Sequence, residues 1–272
     1  MSGRALRIGI DGRAFHSPAA GVRRYVTELT RAIAGLAEPG VELVTIDATG
    51  PSAPTNLGRH ATALPMAIRA ARVDLFHAPA YTAPLWGATP IVLSVHDVSY
   101  ARHPEWYPYR RDPLRRWFYR RSARRAALIV TISEFSKREI IAAYDIPPER
   151  IVVTPLGVSD QFRPREPGDS AADPPFLLHV GDLHARRNLG VVVRAMARWA
   201  HNPTVAGSNP APATNLRLVL AGVDRGLAGP LLDEAAGLGL REAIDICGRV
   251  VHVRSDADRI STYADKYPRV FQ

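Results

Sequence analysis

Three places in this 272-residue sequence combine residue types that could bind or process a phosphate-bearing ligand. The richest is Arg186–Arg187–Asn188, which follows an apolar run ending at Gly181. Two guanidinium forks beside a helix N-terminus are chemistry for neutralising a diphosphate. Cations at a helix start are unfavourable without an anion, so helix stability gives little reason for them; a solvated basic surface is the competing reading. His96–Asp97 closes another apolar run, and such a pair can orient a hydroxyl or pass a proton. The plainer alternative is an Asp97 that caps a helix beside a packed histidine. Gly21 stands in Ala19–Tyr25, where loop meets helix and a missing Cβ lets a phosphate reach backbone N–H groups. An ordinary helix start also fits, and no complete G-x-G-x-x-G accompanies it, which counts against a dinucleotide-dependent oxidoreductase.

These residues need elements to hold them. Leu6–Ile10, Val41–Ile46, Val73–His77, Ile91–Val95, Leu128–Ile132 and Ile151–Thr154 are short apolar runs and predict strands. Between them, Gly21–Leu36 carries apolar residues at helical spacing, Asp112–Ala127 reads as a helix, and Ser133 N-caps a helix reaching Tyr144. Strands separated by helices predict a doubly wound parallel sheet. The pattern then restarts, with strands at Phe176–Val180, Leu216–Ala221 and Ala243–Ile246 and helices at Leu189–Ala200 and Gly229–Ala236. The expected organisation is a first domain over 1–165, a Pro- and Gly-rich linker at 166–175, part of a second domain over 176–250, and an atypical tail at 251–272. Within the second domain, 201–215 is an atypical insert; codons for its core VAGSNPAPAT (Val205–Thr214) can accommodate an arm of a transfer-RNA gene, so a chimeric or misassembled insert is the expectation.

Composition narrows the class. Apolar residues make up 46% and charged residues 22%, which excludes a disordered or fibrous chain. Cys247 is the only cysteine, so a disulfide framework and a cysteine-built zinc site are excluded. Met1–Arg7 leads into Asp11 and Arg13 with no long apolar run, and no stretch approaches a membrane span, which predicts a cytoplasmic protein. The net charge is +9, and only Lys137 and Lys266 among the basic residues are lysines. Such arginine bias fits a GC-rich genome or an affinity for phosphate. Eight arginines lie in Arg110–Arg125, interleaved with Trp117, Phe118 and Tyr119. A solvated helix face, a peripheral contact with anionic lipid and nucleic-acid binding are the readings; with no nucleic-acid motif present, the last is not expected.

Seven ordered motifs carry a family resemblance: IDGRAF (Ile10–Phe15) with GVRRYV (Gly21–Val26), DLFHAPAY (Asp74–Tyr81), SVHDVSY (Ser94–Tyr100), TISEFSKREI (Thr131–Ile140), TPLGVSDQFRP (Thr154–Pro164) and FLLHVGDLHARRNL (Phe176–Leu189). Together they resemble GT-B glycosyltransferases of family 4, nearest to bacterial mannosyltransferase-like members of polysaccharide biosynthesis. The resemblance implies an α/β fold of GT-B type, with one complete Rossmann-like parallel-sheet domain plus a partial second Rossmann-like domain. It implies retaining transfer of a hexose from a nucleotide-diphosphate sugar (GDP- or UDP-linked) to a glycan or lipid-linked acceptor, with no metal or other cofactor. Gly21 resembles the glycine whose amide meets the donor phosphate, and Arg186 the arginine on the diphosphate, with Arg187 where lysine is commoner. His96 resembles the active-site histidine near the transferred sugar. Gly181 and Asn188 complete the expected donor-binding set, and Asp97 is paired with His96 as catalytic. Closure of two domains would exclude water from the donor. A lipid-linked acceptor would bring the protein to the inner face of the cell membrane.

The sequence departs from the family pattern in two places. Leu156 stands where asparagine usually precedes the glycine, here Gly157. The family's paired-glutamate motif should follow Gly248–Val250, yet no glutamate lies beyond Glu242; Glu234 and Glu242 share the spacing but precede the last predicted strand. The expectation is a C-terminally truncated enzyme, with a catalytically inactive fragment acting as a binding or interaction module as the alternative.

Overall fold

The structure, a computed structural model, describes residues 4–36, 39–48, 56–107, 111–158, 176–200 and 216–248. The chain divides into two compact units, Met1–Gln161 and Phe162–Gln272. The expected linker, insert and tail lie outside the described residues, as does Arg110.

In the first unit, β1 (Leu6–Asp11), β2 (Val41–Ile46), β3 (Leu75–Ala78), β4 (Ile91–Ser94), β5 (Leu128–Thr131) and β6 (Ile151–Val153) form one sheet in the order β2-β1-β3-β4-β5-β6. Every pairing is parallel, with Ile8 opposite Leu75 and Phe76 opposite Ile91. The helices are α1 (Ala20–Gly35), α2 (Asn56–Ala61), α3 (Ala63–Ala71), α4 (Ser99–Arg102), α5 (Pro113–Arg125) and α6 (Glu134–Tyr144). Leu64, Phe76, Leu93, Ile129 and Ile140 are fully buried and hold the helices to the sheet through apolar burial. Two caps fix helix starts. The Asp112 carboxylate accepts from the Arg115 N–H, with Pro113 in the first turn, and the Ser133 hydroxyl accepts from the Ser136 N–H at 3.1 Å.

The strand order reverses between β1 and β3. In an open parallel sheet this is the topological switch point, and ligands bind in the crevice outside the carboxyl ends of the strands there. The first sheet therefore offers one preferred edge, at Asp11 and His77.

The second unit has β7 (Phe176–Val180), β8 (Arg217–Ala221) and β9 (Ile244–Gly248), parallel and in the order β7-β8-β9, with α7 (Leu189–Ala200) and α8 (Ala228–Gly237). Leu183, Leu189, Val193, Leu218, Leu220 and Leu231 make its core. Glu234 reaches from α8 to Arg194 of α7 at 2.5 Å, which gives the glutamate a structural tie. Leu177, Leu178 and Val180 of β7 are exposed. Among the described residues, no helix is long and apolar enough to cross a membrane.

Sequence periodicity places every described strand, with ends differing by at most two residues. Three helices, α2, α3 and the short α4, fall in stretches without an expected element. Pro65 occupies the third position of α3, where backbone N–H groups have no helical partner to lose.

Candidate active site

The carboxyl edge of the first sheet gathers an unusual number of buried polar groups. Asp11, the last residue of β1, is 2% exposed, and Arg59 of α2 is 6% exposed. They form an ion pair at 2.7 Å, and Arg59 Nε also donates to the Ala48 carbonyl at 3.2 Å. Arg13 approaches Asp11 at 3.5 Å and donates to the Thr82 hydroxyl at 3.2 Å; burial pushes its pKa down, against the pull of Asp11. A Cβ on Gly12 would overlap the Asp47 carboxylate and crowd the Thr45 methyl, so a larger residue there requires those side chains to move.

Beside this pair runs a second chain of contacts. His77, near the end of β3, places Nε2 2.8 Å from the Ser94 hydroxyl at the end of β4. The same hydroxyl lies 2.9 Å from the phenol of Tyr25 on α1. The Tyr25 ring packs edge-on against His96 with centroids 4.7 Å apart, and Tyr81 flanks His96 at 6.2 Å. Burial, then the nearby His96, drives the His77 pKa down to about 4. Burial also lowers the His96 pKa, although Asp97 raises it. Both rings are neutral at pH 7, so His96 presents a hydrogen-bonding group without charge.

Asp97 has a different task. Its Oδ1 accepts from the N–H of Ser99 at 2.9 Å and from the Ser99 hydroxyl, and its Oδ2 accepts from the Tyr81 phenol at 3.4 Å. These bonds hold the start of α4 and orient Tyr81. The Ser136 hydroxyl donates to the His96 carbonyl at 2.9 Å, tying α6 to the same turn.

Gly21 is the second residue of α1 and is exposed, with nothing near the position a Cβ would take. Ala19 caps α1 without a side-chain bond, and no acidic residue lies in the first turn. The positive end of a sixteen-residue helix thus carries no protein anion of its own in that turn.

In the second unit the edge is built from backbone. Gly181 has φ +142, a conformation that L residues rarely adopt. A Cβ on Gly222 would come within 1.8 Å of the Gly181 carbonyl oxygen, so the ends of β7 and β8 touch only because Gly222 has none. Gly181 donates to the Ala221 carbonyl and Leu183 to that of Val223, both at 2.9 Å. Asp182 pairs with Arg225 at 2.9 Å, and the His184 ring accepts from the Arg186 N–H at 3.3 Å.

Arg186 and Arg187 do not start α7 as the sequence suggested. They form a single 3-10 turn, Ala185–Arg187, and Asn188 in the left-handed region (φ 51) separates it from α7. Both arginines and Asn188 are exposed. The Arg187 guanidinium lies 3.5 Å from the position of a Cβ on Gly181, so this side chain folds back over the end of β7. Nearby, His179 Nε2 is buried and has no hydrogen-bond partner among the described residues. Burial, then Arg186, lowers the His184 pKa, a mark of the positive field here.

Several arginines of α5 serve as ties. Arg115 bonds Asp112, Arg124 bonds Asp145 and the Tyr144 carbonyl, and Arg125 bonds the carbonyls of Pro84 and Gly87. Arg116, Arg120 and Arg121 are exposed, as are Leu114 and Trp117. Among the described residues, no group of three or more His, Cys, Asp or Glu could hold a metal ion.

Sequence reasoning singled out His96, Asp97, Gly21, Gly181, Arg186, Arg187 and Asn188, and missed Arg13, Tyr25, Arg59, His77, Tyr81, Ser94, His179 and Gly222. Tyr25, His77, Tyr81 and Ser94 lie inside the motifs already quoted, so their presence was visible. Their meeting at one edge depends on strand order.

The model of Glycosyltransferase Family 4 matches residues 19–162. O-antigen chain mannosyltransferase B of Escherichia coli is 31% identical over 112 residues, 38% of this chain and 29% of that protein. Alpha-D-kanosaminyltransferase of Streptomyces kanamyceticus is 26% identical over 175 residues, 60% of this chain and 42% of that protein. The chain thus spans well under half the length of these relatives. Anabaena Alr3699/HepE, solved in complex with UDP and glucose, superposes with a TM-score of 0.56 at 16% identity, covering 91% of this chain and 70% of that one. That likeness establishes the GT-B fold.

Proposed function

Since the chain belongs to Glycosyltransferase Family 4, we propose that it transfers a hexose from a nucleotide-diphosphate sugar to a glycan or lipid-linked acceptor, with retention at the anomeric carbon. The carrying observation is the end of β7, where Gly181, the Arg186–Arg187 turn and the start of α7 assemble a cationic, backbone-lined edge. Charge builds on the diphosphate oxygen as the glycosidic bond breaks. Two guanidiniums and a helix N-terminus stabilise that charge more than they stabilise the intact donor. This cationic set does the work without a metal. On the first unit, neutral His96 bonds a hydroxyl of the transferred sugar, and the open start of α1 at Gly21 takes a donor phosphate. Asp97 positions the turn that carries His96.

A mannose-like sugar is favoured by the mannosyltransferase relative and a UDP carrier by the UDP-bound structural neighbour, with GDP as the second candidate. Incubating the purified chain with UDP- or GDP-linked mannose and glucose tests the reading. Donor-dependent transfer with the α-anomer retained by NMR is the expected result, and no binding of any nucleotide-diphosphate sugar would sink it. A catalytically inactive fragment acting as a binding or interaction module is the second reading, and the exposed apolar residues of β7, open to a partner, favour it. Binding by calorimetry with no product would select it. The exposed arginines of the Arg110–Arg125 segment, with Leu114 and Trp117, support a peripheral contact with anionic lipid, and sedimentation with phosphatidylglycerol vesicles that is lost in high salt is expected.

A further inference from the structure

At the amino end of β4, opposite the edge that carries His96, a cavity of about 320 Å³ opens between the end of α3, the loop before β4 and the end of α5. We propose that this cavity is a second binding site, for a phosphate monoester with a flat or apolar body. Arg69, Arg72 and Arg125 line it, and no carboxylate is among the lining residues. Its floor is apolar, with Ile68 and Ile91 both buried. Trp86 stands at its wall, 49% exposed, with the indole N–H donating to the Ala61 carbonyl so that the ring is held in place.

Arg125 decides the reading. It leaves α5 to bond the carbonyls of Pro84 and Gly87, and the loop reaches it through Gly87 at φ +120, a conformation that suits glycine. The guanidinium is therefore fixed before any ligand arrives. Burial, then the neighbouring charge of Arg121, lowers its pKa, and an anion beside it favours the charged guanidinium. Arg69 and Arg72 also sit well beside the negative end of α3. That end amounts to only about half a charge, whereas three guanidiniums carry three, so the net field still favours an anion. A phosphate accepts from the forks while a ring or short chain covers the floor and meets the Trp86 face.

The site is independent of the transferase reading, and the test keeps the two apart. The full chain is titrated with phenyl phosphate, inorganic phosphate and phosphatidylglycerol vesicles, followed by calorimetry and tryptophan fluorescence. Phenyl phosphate is expected to saturate one site about threefold or more tighter than inorganic phosphate, because the ring adds aromatic contact. Arg69→Gln with Arg72→Gln should weaken it about tenfold or more without altering the melting transition, since both side chains are exposed. Trp86→Phe should remove the fluorescence change, and Arg186→Gln with Arg187→Gln should leave binding intact. Loss of binding only in the Arg186/Arg187 variant would overturn the proposal by moving the ligand to the other edge. Binding to vesicles without saturation by either soluble phosphate would overturn it in favour of a diffuse basic surface.

Discussion

The two parallel sheets reach their carboxyl edges by opposite means. In the first unit the edge is made of buried side chains: Asp11 against Arg59, and His77 against Ser94 and Tyr25. In the second it is made of backbone and exposed cations: Gly181 against Gly222, with Arg186 and Arg187 in solvent. A buried polar network is rigid without ligand because each member is costly to leave unpaired. Exposed side chains lose conformational entropy when a ligand orders them. The first edge is pre-organised by its own side chains, whereas the second rests on backbone fit with its cations at the surface.

The largest effect should come from breaking the buried ion pair. Arg59→Ala leaves Asp11 buried without its main counter-charge and should cost the first unit about 3–5 kcal/mol, read as an earlier first transition in urea while the second unit is unchanged. A loss below about 1 kcal/mol would put this pair in the class of solvated surface bridges. On the second edge the same kind of change should barely alter stability. Arg186→Gln with Arg187→Gln should instead lower kcat/KM about 10²–10³-fold, as loss of transition-state charge stabilisation does.

Acid should separate the edges as well. His77 titrates near 6.5 in the unfolded chain and near 4 in the native one, so between those values only the unfolded state takes up the proton. Stability of the first unit therefore falls as pH drops from about 6.5 to 4, by about 3 kcal/mol at the lower end, and His77→Gln should flatten that slope. Melting temperatures measured across this range decide it. The smallest effects come from two glycines. Gly222→Ala drives a methyl into the Gly181 carbonyl and should cost the second unit about 1–3 kcal/mol. Gly21→Ala meets open space and should leave stability within about 0.5 kcal/mol or slightly raise it, while weakening donor binding. Equal effects at the two positions would erase the distinction between a backbone contact and an open helix start.

Much of this was legible in the sequence. Strand runs such as Ile91–Val95, the cap at Ser133 and the candidate site residues His96 and Arg186 all stood out, because β-branched runs, capping hydroxyls and paired arginines act locally. The helix at Ala63–Ala71 did not, since a first-turn proline and a breaking proline look alike without knowledge of position. Nor did Arg59, which lies 48 residues from Asp11 in a stretch where no element was expected.

The sequence by itself determined the alternation of strands and helices, the family, and the residue types available at each strand end. Only the tertiary structure decided which of them meet. Parallel pairing with crossover connections brings the ends of β1, β3 and β4 to one edge, so Tyr25, His77 and Ser94, up to 69 positions apart, share one hydrogen-bonded chain. The approach of Gly222 to Gly181 is likewise a matter of register between strands, which no local pattern encodes.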